Sequence, residues 1–290
     1  MYDLIFQQVA NGIMVGSVYA LVAVGLTMIF GVLRAINFAH GEYFMIGTFA
    51  AWWVMERLDV PYVLSIPAAL LIAAAIAIVI SRLVMQRLVS VPFQMAVLAT
   101  VGVSLVLQNS VILGFGGTHK NFPGGWIDPV EVFGVSMAQQ RLVIIGATLV
   151  VFAGLEWMVR HTRIGKAMRA VAQNTECCMI VGIDVERVAR FTFVLGIVLA
   201  ALSGVLTGPI NVAIYGGMGE IVTLKTFAVI VMGGMGNVQG TLYSAWMLGI
   251  VESLVAGFVG MQYRDAVGFA ALIAILMWRP WGLFSVQGRF

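Results

Sequence analysis

A small set of polar and ionisable residues stands inside or at the ends of long apolar runs. The residues that could bind or pass a polar solute are Asn37, His40, Glu42, Thr100, Ser104, Gln108, Asn211, Lys225 and Glu252. An ionisable side chain within a membrane span is costly unless it has a partner or contacts water, so each is a candidate for a substrate pathway. The alternative for each residue is a hydrogen bond between packed helices.

Three of these residues, Thr100, Ser104 and Gln108, recur every four positions and therefore lie on one face of a helix. For this face, a pathway role and a packing role both stay open. For Glu252, and for the cluster NFAHGE at residues 37–42, a structural role is the preferred interpretation.

The sequence contains no recognisable catalytic or nucleotide-binding motif. Its three histidines lie far apart in no metal-ligand spacing, and a nucleophile elbow is absent. The stretch GGMGNVQG, residues 233–240, has Gln239 where a dinucleotide fingerprint needs its third glycine, so close helix packing is the better interpretation. Gly165-Lys166 lacks the upstream glycine of a P-loop. We therefore expect no enzyme activity and no cofactor, and ATP, if used, is bound by another subunit.

Composition indicates the class of protein. The 290 residues are 61% hydrophobic and only 10% charged, whereas soluble domains are about 25% charged. This predicts an all-α polytopic membrane protein in which residues 1–290 form a single transmembrane domain. The net charge of +3 reflects loop bias in such a protein. We thus expect contact with membrane lipid and none with nucleic acid.

Apolar runs predict eight or nine transmembrane helices, some of them short or broken. The runs are 4–33, 60–81, 93–114, 142–159, 191–213, 221–235, 240–259 and 265–281. Only 13 residues separate Glu42 from Glu56, about 20 Å of helix. Either NFAHGE lies inside the membrane or this helix is a partial span. A second break falls at 233–240, and we find no convincing internal repeat.

Residues 162–190 form the one long stretch too polar for a membrane, and they predict a folded helical loop. From Ile164 onward, apolar residues follow the spacing of an amphipathic helix. Thr175 is expected to cap a second short helix, Gly182 to end it, and Asp184 to cap a third. The loop is either a docking surface for a soluble partner or a connector between spans. The residues expected to serve docking are Arg163, Gly165, Lys166, Arg169, Glu176 and Gly182.

The distribution of basic residues predicts the orientation. With residues 162–190 inside, eleven Lys and Arg residues fall on the inner side, and five fall outside or near that interface. This bias predicts an outside N-terminus and an inside C-terminus.

Cys177 and Cys178 are adjacent in the loop, so they form no ordinary structural disulfide and offer no metal spacing.

Several stretches closely resemble the LivH-type permeases of branched-chain amino acid ABC transporters. In chain order they are GLTMIFGVLRAINFAHGEYFMIGTF (25–49), TRIGKAMRAVAQN (162–174), VGI (181–183), VMGGMGNVQGTLYSAWMLGIVESL (231–254) and RPWGLF (279–284). The similarity covers essentially the whole chain. It departs from the family at Cys177 and Cys178, where small residues are usual, and at Ser285, where glycine is usual.

The resemblance implies an importer permease of the bacterial inner membrane, with an ion-coupled secondary transporter or a channel as the alternative. Its partners would be two ATP-binding subunits docked on the 162–190 loop, a second permease subunit (LivM-like, or a second copy) and a periplasmic substrate-binding protein. Substrates across the family include branched-chain and other amino acids, urea and short amides. The ionisable residues here are isolated, whereas ion coupling needs them organised along one route.

Overall fold

The computed structural model describes residues 2–85, 87, 91–132, 135–211, 213–279 and 282–284. These residues are almost entirely helical. The helices are α1 (Tyr2–Leu33), α2 (His40–Leu58), α3 (Tyr62–Ile80), α4 (Phe93–Phe115), α5 (Gln139–His161), α6 (Arg163–Gln173), α7 (Thr175–Ile180), α8 (Val185–Thr207), α9 (Met218–Gly233), α10 (Val238–Phe258) and α11 (Arg264–Trp278). A π-helical turn, Ser81–Met85, continues α3. The sequence did not predict the short antiparallel hairpin of β1 (Pro129–Val132) and β2 (Val135–Ala138).

Six helices of the described chain are long and apolar enough to cross a membrane: α1, α3, α4, α5, α8 and α10. Helix α2 carries three charged residues, while α9 and α11 have only 16 and 15 residues, and a full span needs about 20. The chain is therefore an all-helical, multi-pass membrane protein, and the expected count of eight or nine spans is not confirmed. Helices α2, α9 and α11 pack within the same bundle.

Helix α1 forms the centre of the bundle and packs antiparallel to α8. At their crossing, a Cβ on Gly25 or Gly196 would overlap the backbone of the other glycine. Seven residues away on each helix, Ser203 Oγ donates to the carbonyl oxygen of Val18 at 3.0 Å. Small residues let membrane helices approach closely. Because the hydrophobic effect does not drive helices together in lipid, the van der Waals contacts of this close packing stabilise their association.

The chain turns back into the bundle after α1. His40, the first residue of α2, contacts the carbonyl oxygen of Val22 through Nε2 at 3.0 Å. Val22 precedes the last residue of α1, Leu33, by 11 residues, or about 16 Å of helix. NFAHGE therefore lies inside the helical bundle, and its depth in the membrane stays a prediction.

A second re-entrant segment, residues 208–217, connects α8 to α9. It contains a 3₁₀ turn and an isolated bridge between Ile214 and Lys120. The predicted span 191–213 is thus wrong at both ends, because α8 begins at Val185 and ends at Thr207. The break expected at 233–240 is a tight turn between α9 and α10.

The two re-entrant segments carry an internal repeat, which corrects the expectation that there is none. Residues 36–50, INFAHGEYFMIGTFA, and 210–228, INVAIYGGMGEIVTLKTFA, share Ile-Asn-x-Ala, Gly-Glu and Thr-Phe-Ala. The second copy has four extra residues between the first two motifs. Helices α1–α4 correspond in order to α8–α11, because α2 packs on α3, α4 and α8 as α9 packs on α10, α11 and α1.

The two repeats run in opposite directions through the bundle. Helix α2 runs toward the β-hairpin end, where Trp52 packs on Phe115 at the end of α4. Helix α9 runs toward the opposite end, where Gly236 approaches Gly31 near the end of α1. The helices that begin at His40 and at Met218 are therefore half-helices of inverted orientation whose first turns meet in the interior.

The polar loop consists of α6 and α7, with corrections to its predicted caps. Asn174, and not Thr175, caps α7, because its Oδ1 accepts from the backbone N of Cys177 at 2.9 Å. Gly182 has a φ of +81° just after the end of α7, as expected. Asp184 caps a helix as predicted, but that helix is the long α8, so residues 162–190, all of which the structure describes, contain no third short helix.

Candidate functional site

The polar face of α4 contacts the first re-entrant segment. Thr100 Oγ1 accepts a hydrogen bond from the backbone N of Phe38 at 3.2 Å. One turn later, Ser104 Oγ donates to Glu42 Oε1 at 2.9 Å. Two of the predicted clusters, the α4 face and NFAHGE, therefore form one site.

The same face of α4 also reaches the second re-entrant segment. The side-chain Nε2 of Gln108 lies beside Gly217, immediately before α9. Leu105 and Val106, on the other side of α4, are 55% and 65% exposed. The three polar residues of α4 thus point inward as a group, while its apolar residues point out of the bundle.

The turn that begins α2 leaves several polar atoms unsatisfied. Asn37 Oδ1 accepts from the backbone N of Ala39 at 3.1 Å, and Gly41 N donates to Thr223 Oγ1 of α9 at 3.0 Å. The buried atoms without a hydrogen-bond partner among the described residues include Asn37 Nδ2, His40 Nδ1 and Glu42 Oε2. Buried polar groups are nearly always paired, so such atoms point to water, an ion or a ligand.

The two half-helices cross at a pair of equivalent glycines. A Cβ on Gly219 would lie 2.6 Å from Glu42 Oε2 and 2.7 Å from the carbonyl oxygen of Gly41. A Cβ on Gly41 would overlap the carbonyl oxygen of Gly219 and Thr223. Only glycine at both positions allows the first turns of α2 and α9 to touch.

Lys225 and Glu252 belong to a separate, buried charge cluster. Lys225 Nζ donates to both carboxylate oxygens of Glu252, at 2.9 and 2.8 Å, and lies 2.6 Å from Asp265 Oδ1. Glu252 Oε2 also accepts from Tyr19 OH at 2.9 Å and from Arg264 Nε at 3.2 Å. The cluster joins α1, α9, α10 and α11, and its two cations and two anions compensate one another.

The sequence interpretation missed three members of this charge cluster: Tyr19, Arg264 and Asp265. The available signal was Glu252 itself, because a carboxylate in the middle of a span requires a cationic partner. The structural role preferred for Glu252 agrees with these contacts.

Asn211 belongs to neither cluster, and it lies on the wall of a cavity of about 340 Å³ that Tyr19 and Arg264 of the charge cluster also line. The cavity is mostly apolar, with polar groups from Thr207, Asn211, Tyr215 and Arg264. It is bordered by α1, α2, the second re-entrant segment and the first turn of α9. The nine predicted residues therefore occupy three neighbouring places and do not form a single site.

The loop residues divide into an inner and an outer group. Gly165 packs on the backbone of Met158 and Val159 in α5. The lack of a side chain at Gly165 therefore serves packing between α5 and α6 of this chain and not contact with a partner. Arg169 donates to the carbonyl oxygen of Val159. The exposed residues of the loop include Arg163, Lys166, Arg169, Glu176, Cys177 and Gly182.

The end of α7 presents an apolar tip, defined as Met179, Ile180 and Val181. These three side chains are exposed, Ile180 to 84%. Cys178, one residue earlier, is buried against the loop.

The described residues include no group of three or more His, Cys, Asp or Glu side chains that could hold a metal ion.

A multi-pass helical bundle with two inverted, re-entrant half-helices is an architecture of membrane transporters. Residues 8–276 match the family described as "Branched-chain amino acid transport system / permease component". The chain therefore belongs to this family of transport permease subunits, and the alternative of an ion-coupled secondary transporter or channel is not favoured.

The branched-chain amino acid permeases among the relatives are similar over nearly their whole length. The high-affinity branched-chain amino acid transport system permease protein BraD of Pseudomonas aeruginosa is 33% identical, covering 96% of this chain and 95% of its own. LivH of Escherichia coli has the same identity and coverage. The ribose import permease protein RbsC of Escherichia coli is 27% identical over 82% of this chain and 74% of its own.

Proposed function

We propose that this chain forms the translocation pathway of an ATP-binding-cassette importer for branched-chain or related amino acids. The observation that carries the proposal is the 33% identity to named branched-chain amino acid permeases over 96% of the chain. Because the similarity includes both re-entrant segments and the polar loop, it covers every region that transport would use.

The complex would contain two ATP-binding subunits, which hydrolyse ATP, and a second permease subunit, either LivM-like or a second copy. A periplasmic binding protein would deliver the substrate. The exposed apolar tip of α7 is the surface proposed to contact an ATP-binding subunit, because an exposed apolar patch with a polar rim is typical of interaction sites. Arg163, Lys166 and Glu176 supply the polar rim.

The N-terminus would lie outside and the C-terminus inside, with the loop in the cytoplasm. In this orientation nine helices of the described chain lie in the membrane zone, of which α2 and α9 are half-helices. The basic residues of the loop support this orientation, since cytoplasmic loops carry an excess of Lys and Arg.

The pathway would run along the site where α4 meets the two re-entrant segments. Non-helical backbone at membrane depth is tolerated only where protein or water covers it. Discontinuous helices at the interface of inverted repeats are where transporters bind substrate. The unsatisfied polar atoms of residues 37–42 support this assignment.

The test is ATP-dependent uptake by the complete complex in proteoliposomes. With leucine-loaded binding protein outside and ATP inside, we expect leucine to accumulate. A complex whose ATP-binding subunits lack the P-loop lysine is the control. Uptake of urea or acetamide in place of leucine would assign a different substrate class, and leucine uptake independent of ATP would contradict the proposal.

A further inference from the structure

The internal repeat places two glutamates at equivalent positions. Glu42 is the third residue of α2, and Glu220 is the third residue of α9. Each follows the glycine at which the half-helices cross. Glu42 Oε2 lies against Gly219, the residue immediately before Glu220, so the first turns of α2 and α9 bring both glutamates to the same crossing.

Glu42 is only 1% exposed, and one of its two carboxylate oxygens has no hydrogen-bond partner in the described chain. Its other oxygen accepts a hydrogen bond from Ser104 Oγ, the one hydrogen bond found for it among the described residues. The ion pairs found among the described residues involve neither Glu42 nor Glu220. An isolated carboxylate in a membrane interior is costly, so it is neutralised by a proton or by a cationic partner such as an ammonium group.

The positive ends of the two helix dipoles do not remove this preference. A helix N-terminus ordinarily attracts an anion. Here each half-helix already carries its own carboxylate in its first turn, so the place of the anion is taken. The site as a whole has two negative side chains and no described cation in contact with them.

We infer that Glu42 and Glu220 form a paired carboxylate site that binds the ammonium group of the transported amino acid where the two half-helices meet. This inference rests on the proposed function. An ammonium group offers three hydrogen-bond donors, and the unpaired oxygen of Glu42 is a ready acceptor. Glu220 is exposed, so it is the carboxylate that a substrate meets first.

Access to Glu42 requires the half-helices to separate. Gly41 and Gly219 are in contact in this structure, and Glu42 is enclosed between them and α4. A shift of α9 relative to α2 would expose Glu42 beside Glu220. This shift would let one ammonium group contact both carboxylates, one from each half of the repeat.

The experiment compares leucine uptake and ATP hydrolysis by the reconstituted complex carrying Glu220→Gln or Glu42→Gln. We expect leucine uptake to fall by about tenfold or more for each variant, since a hydrogen bond between charged groups is lost. ATP hydrolysis stimulated by leucine-loaded binding protein should persist. Glu220→Asp and Glu42→Asp, which keep the charge, should retain most of the uptake.

The matched control is Glu56→Gln, which removes an exposed carboxylate at the far end of α2. Wild-type uptake by both glutamine variants would overturn the inference while leaving the proposed function intact. Equal losses for glutamine and aspartate variants would also overturn it, because charge would then not matter. If the wild-type complex itself fails to take up leucine, the proposed function is wrong.

Discussion

At the scale of single residues, Glu252 holds the second half of the bundle together. Its carboxylate is fully buried and receives hydrogen bonds from Tyr19, Lys225 and Arg264. We predict that Glu252→Gln lowers the free energy of unfolding by about 3–5 kcal/mol, because the buried Lys225 and the partly buried Arg264 lose their shared anion. Thermal denaturation of the purified permease complex in detergent measures this.

Lys225→Met provides a graded comparison for this prediction. Lys225→Met should lower the free energy of unfolding by less than Glu252→Gln does, since Arg264 still neutralises Glu252. The exposed variant Glu56→Gln should stay within about 0.5 kcal/mol of wild type. If Glu252→Gln unfolds at the same temperature as Glu56→Gln, the cluster does not stabilise the fold.

The repeat shows an asymmetry at the residue scale. The position equivalent to Lys225 in the first repeat is Gly47, and there a Cβ would overlap the backbone of Ala201 in α8. At this position α2 packs backbone to backbone, whereas α9 joins a charge cluster. Helix α9 also packs closely through Gly219 on Gly41 and through Gly233 on Gly240, so the charges add to close packing in α9 and do not replace it.

At the scale of elements, the crossing of α2 and α9 depends on the lack of side chains at two positions. We predict that Gly219→Ala destabilises the protein by about 1–3 kcal/mol, because the added methyl would overlap Glu42 and Gly41. Uptake should fall with it. Gly102→Ala on α4 is the matched control, since a Cβ there meets nothing within 4 Å. Equal melting temperatures for the two variants would mean that the crossing is loosely packed.

The apolar tip of α7 supports a second prediction at this scale. Ile180→Asp should weaken association with the ATP-binding subunit by about tenfold or more, because an exposed apolar anchor becomes charged. Pull-down of the ATP-binding subunit from purified components measures the loss. Gln173→Asp, an exposed change at the end of α6, should leave binding unchanged. Wild-type association of Ile180→Asp would place the docking surface elsewhere.

Helix positions were largely predictable because apolar runs end at charged residues. The run 60–81 corresponds to α3, and 142–159 lies within α5. The second re-entrant segment was not predictable in the same way, since residues 208–217 are nearly as apolar as the helices around them. Hydropathy measures the preference for the membrane and not the direction of the chain within it.

At the scale of the whole molecule, long-range pairing was the part that the sequence concealed. Four extra residues in the second copy shift the shared motifs out of register, so the inverted repeat escapes a fixed-period comparison. Glu252 and Tyr19 are likewise 233 positions apart. The α4 stripe was found because it depends only on local helical spacing, whereas its contacts with Phe38 and Glu42 depend on the fold of the whole chain.

The inverted repeat makes a prediction about the transport cycle as a whole. If the half-helices separate and rejoin during the cycle, the inward face of α4 must alternate between closed and open. A cysteine at Ser104 should therefore react with a small water-soluble thiol reagent at rates that differ severalfold between the nucleotide-free and ATP-trapped complexes. The background chain needs Cys177→Ser and Cys178→Ala, because Cys177 is exposed.

Two positions on the opposite face of α4 serve as controls for this labelling. Cysteines at Leu105 and Val106 should stay inert in both states, since these side chains point out of the bundle toward lipid or a partner. State-dependent labelling confined to Ser104 would show that water reaches the junction of the two repeats in one state only. If cysteine at Ser104 is equally inert in both states, the polar face is interhelical packing, and the pathway lies in the cavity beside Asn211 instead.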